Sequence, residues 1–156
     1  MMNWIWYISY FLVLIGLAGY GFHRLTTLYL YLKHKDDTPV PLKQFDELPM
    51  ITMQLPVFNE MHVVERLMKH IAELDYPKDK LQIQLLDDST DDSTEICRQQ
   101  VEQLVAQGFD AEYIHRSDRT GFKAGALENG IEHAKGDFLF ILDADFAPKP
   151  NVLKDT

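Results

Sequence analysis

A chain of 156 residues is long enough for one domain with a substantial core, and 46% apolar with 25% charged residues is the composition of a folded protein. The net charge of −9 is uneven, because residues 1–35 hold three cations and no acid, which leaves the rest strongly acidic. Such a surface repels a phosphate backbone, so nucleic acid is excluded as a partner, although a divalent cation can still join carboxylates to a nucleotide. The single cysteine, Cys97, excludes an internal disulfide framework and is predicted to pack in a helix.

The N-terminal segment has no charged residue from Trp4 to Phe22, a length close to the hydrocarbon thickness of a bilayer. We therefore predict a transmembrane anchor over residues 1–33, in contact with membrane lipid. A cleaved signal peptide and a buried globular helix are the alternatives, but no positive charge precedes the apolar run. Because Arg24, Lys33 and Lys35 all follow the span, the positive-inside rule predicts that the remaining chain is cytoplasmic.

Residues 34–49 are polar and contain prolines without a sustained period, which predicts a linker along the membrane surface. A folded part is predicted over residues 50–156, where apolar runs alternate with amphipathic segments. The predicted strands are Ile51–Leu55, which Pro56 should end, then Leu81–Leu86, Glu112–His115 and Phe138–Leu142. The last run is the most apolar, which predicts a central strand buried on both faces.

Three helices are predicted between these strands. They cover Glu60–Leu74, a segment from Thr90 or Asp91 to Gly108, and Phe122–Ala134. Strands that alternate with helices predict an α/β fold with a parallel, doubly wound sheet. Ligands of such sheets bind beyond the carboxyl ends of the strands, which is where the polar residues with specific chemistry are concentrated here.

Asp143 and Asp145 follow the last predicted strand and are separated by one alanine. Two carboxylates so spaced can converge on one hard cation such as Mg²⁺ or Mn²⁺, although a solvated turn has the same composition. Asp87 and Asp88 follow the second strand, where a carboxylate can accept the imide N–H of a uracil or guanine, or favour the start of the next helix. Lys123 lies in the first turn of a predicted helix, either as a surface lysine or facing an anion such as a diphosphate.

Four motifs occur in order along the chain, and together they are more specific than any one alone. They are Pro-Val-Phe-Asn-Glu (56–60), Leu-Asp-Asp-Ser (86–89), Arg-Thr-Gly-Phe-Lys-Ala-Gly-Ala-Leu (119–127) and Leu-Asp-Ala-Asp-Phe (142–146). This combination resembles the family 2 glycosyltransferases with the GT-A fold. The residues of the motifs are most similar to those of the cellulose-synthase-like branch, which includes glucomannan synthases. The resemblance extends from Ile51 to Pro148.

The resemblance implies a membrane-anchored, processive-type enzyme that transfers a hexose from a UDP- or GDP-sugar to a polysaccharide or lipid acceptor with inversion. It implies a Mg²⁺ or Mn²⁺ ion held by Asp145, with Asp143 reaching the metal or the ribose. It implies that the stretch Leu55–Glu60 lines the nucleotide pocket, with Glu60 near the base or ribose. It places Asp88 at the base, where Asp87 would assist, and Lys123 near the diphosphate. The substrate-binding positions that it implies are Leu55, Pro56, Glu60, Asp87, Asp88, Lys123 and Asp143.

The family also carries a general-base aspartate and a Gln-x-x-Arg-Trp segment, which the resemblance would place beyond Thr156. We therefore expect no catalytic base among these residues, and we expect this polypeptide alone not to transfer sugar. The alternative function is a truncated, non-catalytic, membrane-tethered module that binds a nucleotide sugar. A dinucleotide-binding dehydrogenase is disfavoured, because Pro-Val-Phe-Asn-Glu stands where that fold needs Gly-x-Gly-x-x-Gly. An Asp-x-Asp phosphatase is disfavoured, because its aspartate pair should follow the first strand, whereas Asp143 follows the fourth predicted strand. The donor, the acceptor and the oligomeric state stay open.

Overall fold

The structure, a computed structural model, describes residues 2–37 and 45–155, and the chain divides into two compact units, Met1–Gln44 and Phe45–Thr156. Residues 38–44 of the predicted linker lie outside the described residues. The first unit is the helix α1 (Met2–His34). Its segment Trp4–His34 has a mean hydropathy of 1.6 in its most apolar window and no burial, so it is long and apolar enough to cross a membrane. A signal sequence near an N-terminus would satisfy the same criterion.

The second unit is a four-stranded parallel sheet with the strand order β3-β2-β1-β4, which confirms the predicted fold class. Its strands are β1 (Ile51–Val57), β2 (Leu81–Asp87), β3 (Asp110–His115) and β4 (Phe138–Ile141). Its helices are α2 (Met61–Ala72), α3 (Ser93–Ala106), α4 (Phe122–Ile131) and α5 (Val152–Asp155), and a 3₁₀ turn covers Lys78–Lys80. The three predicted helices are present as α2, α3 and α4, each a few residues shorter than expected.

One face of the sheet forms the hydrophobic core with α2 and α3. Side chains alternate along a strand, so every second residue of β1 and β2 points to this face. The residues that share it are Ile51, Met53, Leu55, Val57, Leu81, Ile83 and Leu85, together with Val64, Leu67 and Ile71 of α2 and Cys97, Val101 and Leu104 of α3. Among the apolar residues of α3, Val105 is exposed.

The opposite face of β1 and β2, below α4, is polar although it is fully buried. Thr52 Oγ1 donates to Gln82 Oε1 at 2.7 Å, and Gln54 Nε2 donates to Gln84 Oε1 at 3.0 Å. These cross-strand pairs satisfy most of the buried polar groups, as burial requires. The helix α4 then packs closely, because a Cβ on Gly130 would lie 2.5 Å from Gln54 Nε2. The position of α4 depends on this close approach.

Two strand predictions are wrong. The strand β4 is not central, because among the described residues it pairs only with β1 and lies at the sheet edge, with Phe138 and Ile141 about half exposed (51% and 50%). Pro56 does not end β1, which continues to Val57. The missing N–H of Pro56 costs no ladder bond, because it points to the β4 side, where pairing with β1 stops at Gln54.

The start of α3 also differs slightly from the prediction. Its assigned N-cap residue is Asp92, whose side chain makes no capping hydrogen bond. Asp91 Oδ1 instead accepts the Ser93 N–H at 3.0 Å, so the neighbouring predicted residue satisfies one free donor of the helix. Gly108 adopts a φ of 86° just after this helix, in agreement with the predicted stop.

Candidate functional site

A cavity of about 310 Å³ opens in the second unit, at the carboxyl ends of β1 and β4. Its walls are Pro56, Val57, Phe58, Glu60, Asp88, Lys123, Ala126, Asp143, Ala144 and Asp145. Three separate loops and the start of α4 therefore meet at one edge of the sheet, as a parallel α/β fold requires of a ligand site. A larger surface groove of about 900 Å³ between α2 and α3 has none of the predicted site residues in its walls.

Six of the predicted site residues line this cavity, and two do not. Those that line it are Pro56, Glu60, Asp88, Lys123, Asp143 and Asp145. Leu55 is fully buried in the core, directly before the cavity residues of β1. Asp87 is also fully buried, because it shares the face of Leu85, whereas the next residue, Asp88, points to the other side.

The acidic end of the cavity is formed by Glu60, Asp143 and Asp145. Burial is the largest cause that raises the pKa of Glu60, and the negative charges of Asp145 and then Asp143 raise it further, against the opposing effect of Lys123. Asp143 forms an ion pair with Lys123, and both side chains are about half exposed. An exposed pair of this kind contributes little stability and can be separated by a ligand at low cost.

Asp143 and Asp145 are two of the carboxylates of this cavity that could hold a hard divalent cation. Within residues 2–37 and 45–155, no group of three or more His, Cys, Asp or Glu side chains is arranged to bind a metal. A cation on these two carboxylates would need further oxygen ligands from water or from a substrate. Mg²⁺ and Mn²⁺ are commonly bound in this way, with one or two carboxylates and phosphate oxygens.

Asp88 is held by an arginine that the sequence analysis did not identify. Arg116 Nε lies 2.9 Å from Asp88 Oδ1 and Nη2 lies 2.6 Å from Oδ2, with side-chain exposures of 17% and 6% for the arginine and the aspartate. The hydrogen bonds to Asp88 are the largest cause that raises the pKa of the Arg116 guanidinium. Arg116 Nη2 also donates to the Phe122 carbonyl at 3.1 Å, which ties Asp88 to the start of α4. Its position directly after β3 is visible in the sequence, but the pairing of β3 with β2, which brings it to Asp88, is not.

Asp87 belongs to a separate polar cluster behind the cavity. Its Oδ1 accepts the Ser89 N–H at 2.9 Å, and its Oδ2 accepts the Tyr113 O–H at 2.7 Å. His115 Nδ1 lies 3.3 Å from the same Oδ2. Burial, followed by the hydrogen bond and charge of Asp87, raises the pKa of Tyr113. Both oxygens of Asp87 are thus engaged inside the protein, which makes it a support for the β2 end and its loop.

The loop that follows β1 is connected to both of its neighbouring loops. Asn59 donates its backbone N–H to Ser89 Oγ at 2.8 Å, and its Oδ1 accepts the Thr90 N–H at 2.9 Å. Arg119, in the loop before α4, stacks on Phe58 with Cζ 3.4 Å from the ring centroid. Asn59 belongs to the stretch expected to line the pocket, but it does not line this cavity, and Arg119 had no predicted role.

A parallel α/β sheet with an Asp-x-Asp pair, a lysine at a helix start and a recessed aspartate around one cavity is the arrangement expected of the GT-A fold. The family model described as glycosyl transferase family 2 matches residues 54–156. The chain belongs to this family, which confirms the resemblance in the four motifs.

The curated relatives that the chain resembles include plant proteins. The chain is 41% identical over 114 residues to "Probable glucomannan 4-beta-mannosyltransferase 7" of Oryza sativa subsp. japonica, an alignment that covers 70% of this chain and 20% of the relative. It is 36% identical over 112 residues to "Glucomannan 4-beta-mannosyltransferase 7" of Arabidopsis thaliana, covering 69% of this chain and 20% of that protein. The chain thus spans about a fifth of the length of these relatives.

Solved structures agree with the fold. The mannosyltransferase PcManGT from Pyrobaculum calidifontis, in complex with GDP-Man and Mn²⁺, matches with a TM-score of 0.71 and 28% identity, covering 88% of this chain and 40% of that one. The S. aureus protein TarS in complex with UDP matches with a TM-score of 0.58 and 20% identity over 68% of this chain and 30% of that one. This second likeness concerns the fold alone.

Proposed function

We propose that the second unit binds a nucleotide sugar in the cavity at the carboxyl end of its sheet, and that it is the donor site of an inverting glycosyltransferase. The observation that carries this proposal is the convergence of Glu60, Asp88, Lys123 and Asp145 on one cavity from four separate motifs. In that reaction a hexose would pass from a nucleoside diphosphate to a hydroxyl group of a polysaccharide or lipid acceptor.

The nucleobase would lie at the end of the cavity formed by Phe58 and Asp88. Both oxygens of Asp88 already accept hydrogen bonds from Arg116, but each has a second lone pair that can accept a base N–H. The arginine fixes the direction of this carboxylate and adds positive charge to an acidic site. Phe58 supplies an apolar surface beside it.

The diphosphate would lie at the opposite end, between Lys123 and the Asp-Ala-Asp carboxylates. Asp143 and Asp145 suit Mg²⁺ or Mn²⁺, since they are hard oxygen donors and leave ligand positions for phosphate oxygens. When bound, the ion would neutralise charge that develops on the departing nucleoside diphosphate. Lys123 would exchange its ion pair with Asp143 for the phosphates, and the free N–H groups at the start of α4 would face the same anion.

Among donors, a GDP-sugar is favoured, and GDP-mannose in particular. Relatives at 41% and 36% identity are named as glucomannan mannosyltransferases, and PcManGT holds GDP-Man with Mn²⁺. These are properties of those proteins, and their shared mannosyl chemistry supports the same choice here. The helix α1 would anchor the second unit on the cytoplasmic side of a membrane. The positive-inside rule supports this side, because Arg24, Lys33 and Lys35 follow the apolar run.

A competition series tests the proposal with the complete chain in detergent micelles. Radiolabelled GDP-mannose should bind with Mn²⁺, and GDP should displace it better than GMP, because GMP lacks the second phosphate between the metal and Lys123. GDP should also displace it better than UDP if the donor is a GDP-sugar. Stronger displacement by UDP would overturn the choice of donor, and equal displacement by GMP and GDP would contradict the assigned diphosphate site.

A further inference from the structure

Phe58 is the only aromatic residue in the walls of the cavity, as far as the described residues go, and it lies on an irregular loop rather than on a strand. A phenyl ring on a loop can adopt several rotamers, and each ring position changes the shape of the cavity. What restrains this ring therefore affects how well the cavity is formed before a ligand enters.

Arg119 restrains the ring from the loop before α4. Its Cζ lies 3.4 Å from the centroid of Phe58 and 5.5 Å from that of Phe122, so the guanidinium stacks on one ring and lies near a second. No carboxylate among the described residues forms an ion pair with Arg119, and its buried Nε has no hydrogen-bond partner there. No ion pair with a described residue therefore holds the guanidinium of Arg119 in place. Its closest aromatic contact is the stacking on the Phe58 ring.

Asn59 restrains the same loop from the other side. Its φ of 52° is in the left-handed region, which asparagine tolerates better than most residues. In this conformation Asn59 exchanges two hydrogen bonds with Ser89 and Thr90, directly after Asp88. The loop that carries Phe58 is therefore attached to the loop of Asp88 by Asn59 and to the loop before α4 by Arg119.

We propose that Arg119 and Asn59 are positioning residues that join the three loops and hold Phe58 as a fixed wall of the nucleobase end of the cavity. This inference rests on the proposed function and deepens it, because it assigns their effect to recognition of the nucleoside rather than the diphosphate. Neither residue lines the cavity itself. Their contribution reaches the ligand through Phe58 and through the loop geometry.

Two probes separate a positioning role from direct contact with phosphate. In Arg119→Ala, we expect GDP to bind about 3- to 10-fold more weakly in the presence of Mn²⁺, the size of a cation–π contact at a partly exposed site. Inorganic pyrophosphate, which has no nucleoside, should bind as it does to the wild-type chain. An equal loss for pyrophosphate, or no loss for GDP, would overturn the proposal.

Further variants show whether Arg119 acts through Phe58. The double variant Arg119→Ala/Phe58→Leu should bind GDP no more weakly than Phe58→Leu alone, and additive losses would contradict action through the ring. Asn59→Gly keeps the left-handed backbone but loses the acceptor for the Thr90 N–H, and a several-fold loss for GDP is expected. Lys78→Ala is the matched control, because Lys78 stacks on Phe109 at 4.2 Å outside the cavity and should leave GDP binding unchanged.

The fold of each variant is checked by the protection of Cys97, which is fully buried in the wild-type core. If Arg119→Ala exposes this thiol, Phe58→Leu and Asn59→Gly carry the test in its place. If the wild-type chain binds neither GDP nor pyrophosphate, the proposed function fails. If the wild type binds GDP and the variants bind it equally well, the positioning role fails while the proposed function stands.

Discussion

Loss of the Asp88 carboxylate should both destabilise the second unit and weaken binding of the nucleobase. In Asp88→Ala, Arg116 loses two charge-assisted hydrogen bonds at 2.6 and 2.9 Å, while its side chain is only 17% exposed. Truncation of a fully buried pair costs about 3–5 kcal/mol, and an exposed pair is worth about 0.2–1 kcal/mol. Arg116 keeps a hydrogen bond to the Phe122 carbonyl, so we expect an intermediate cost of about 2 kcal/mol.

Urea unfolding measured through the only cysteine provides the assay. Cys97 is fully buried in the core between the sheet and α3, so reaction with a thiol reagent reports opening of the second unit and ignores α1. Asp88→Ala should lower the free energy of unfolding by about 2 kcal/mol, and Arg116→Ala by a similar amount, because it strands a carboxylate that is nearly fully buried. The double variant should cost clearly less than the sum.

The same variants separate stability from binding. A base N–H that donates to an ionised carboxylate contributes about 1.5–3 kcal/mol, so GDP should bind to Asp88→Ala roughly 10- to 100-fold more weakly. Pyrophosphate binding should be unchanged. If Asp88→Ala unfolds at the wild-type urea concentration, or if both single losses are additive in the double variant, the ion pair does not have the role described here.

Three other predictions concern single groups in the second unit. Burial, with the nearby negative charges of Asp87 and Asp91, raises the pKa of Cys97 to about 12, so the thiol should not react at pH 8 until the protein unfolds, as a reagent assay will show. In Asp145→Asn, the pKa of Glu60 should fall but stay above its usual value, because burial raises this pKa more than Asp145 does. Carboxyl chemical shifts followed against pH measure the change, and an unchanged pKa would refute the coupling. Gly130→Ala should lower the free energy of unfolding by about 1–3 kcal/mol, because the added Cβ meets the sheet. Gly16→Ala in α1 meets no neighbour and should leave this free energy unchanged.

The general position of the site follows from the sequence by a short argument. Alternating strands and helices imply a parallel sheet, and the carboxyl ends of parallel strands lie at one edge. Residues that follow different strands, such as Glu60, Asp88 and Asp145, must then lie near each other, and the cavity contains all three. The residue roles within that cavity stay predictions until ligand binding is measured.

Side-chain direction was less predictable, as the two adjacent aspartates illustrate. Neighbouring residues at a strand end point to opposite faces, so only one of Asp87 and Asp88 could face the cavity. The motif alone does not say which one, since that depends on the face to which the strand turns its apolar residues. Arg116 was missed for a related reason: its partner lies 28 positions earlier in the chain and is brought close only by the pairing of β2 with β3.

Strand order was also beyond the pattern of apolar residues. The run Phe138–Ile141 is as apolar as a central strand, yet it pairs only with β1 among the described residues. Conversely, β1 and β2 carry glutamines at Gln54 and Gln84, which is typical of a solvated face, but both are fully buried below α4. One cross-strand hydrogen bond joins these two side chains and lowers the cost of that burial, and no local pattern reports it.

The measurement that tests the central claim most directly is calorimetric titration of the complete chain with GDP-mannose, in Mn²⁺ and in EDTA. The site described here predicts saturable binding with Mn²⁺ that is lost in EDTA and in the double variant Asp143→Asn/Asp145→Asn, while Cys97 stays protected in both proteins. Binding of equal strength in EDTA would contradict the metal-bridged diphosphate. If neither GDP-mannose nor a UDP-sugar binds to a folded chain, the cavity is not a donor site.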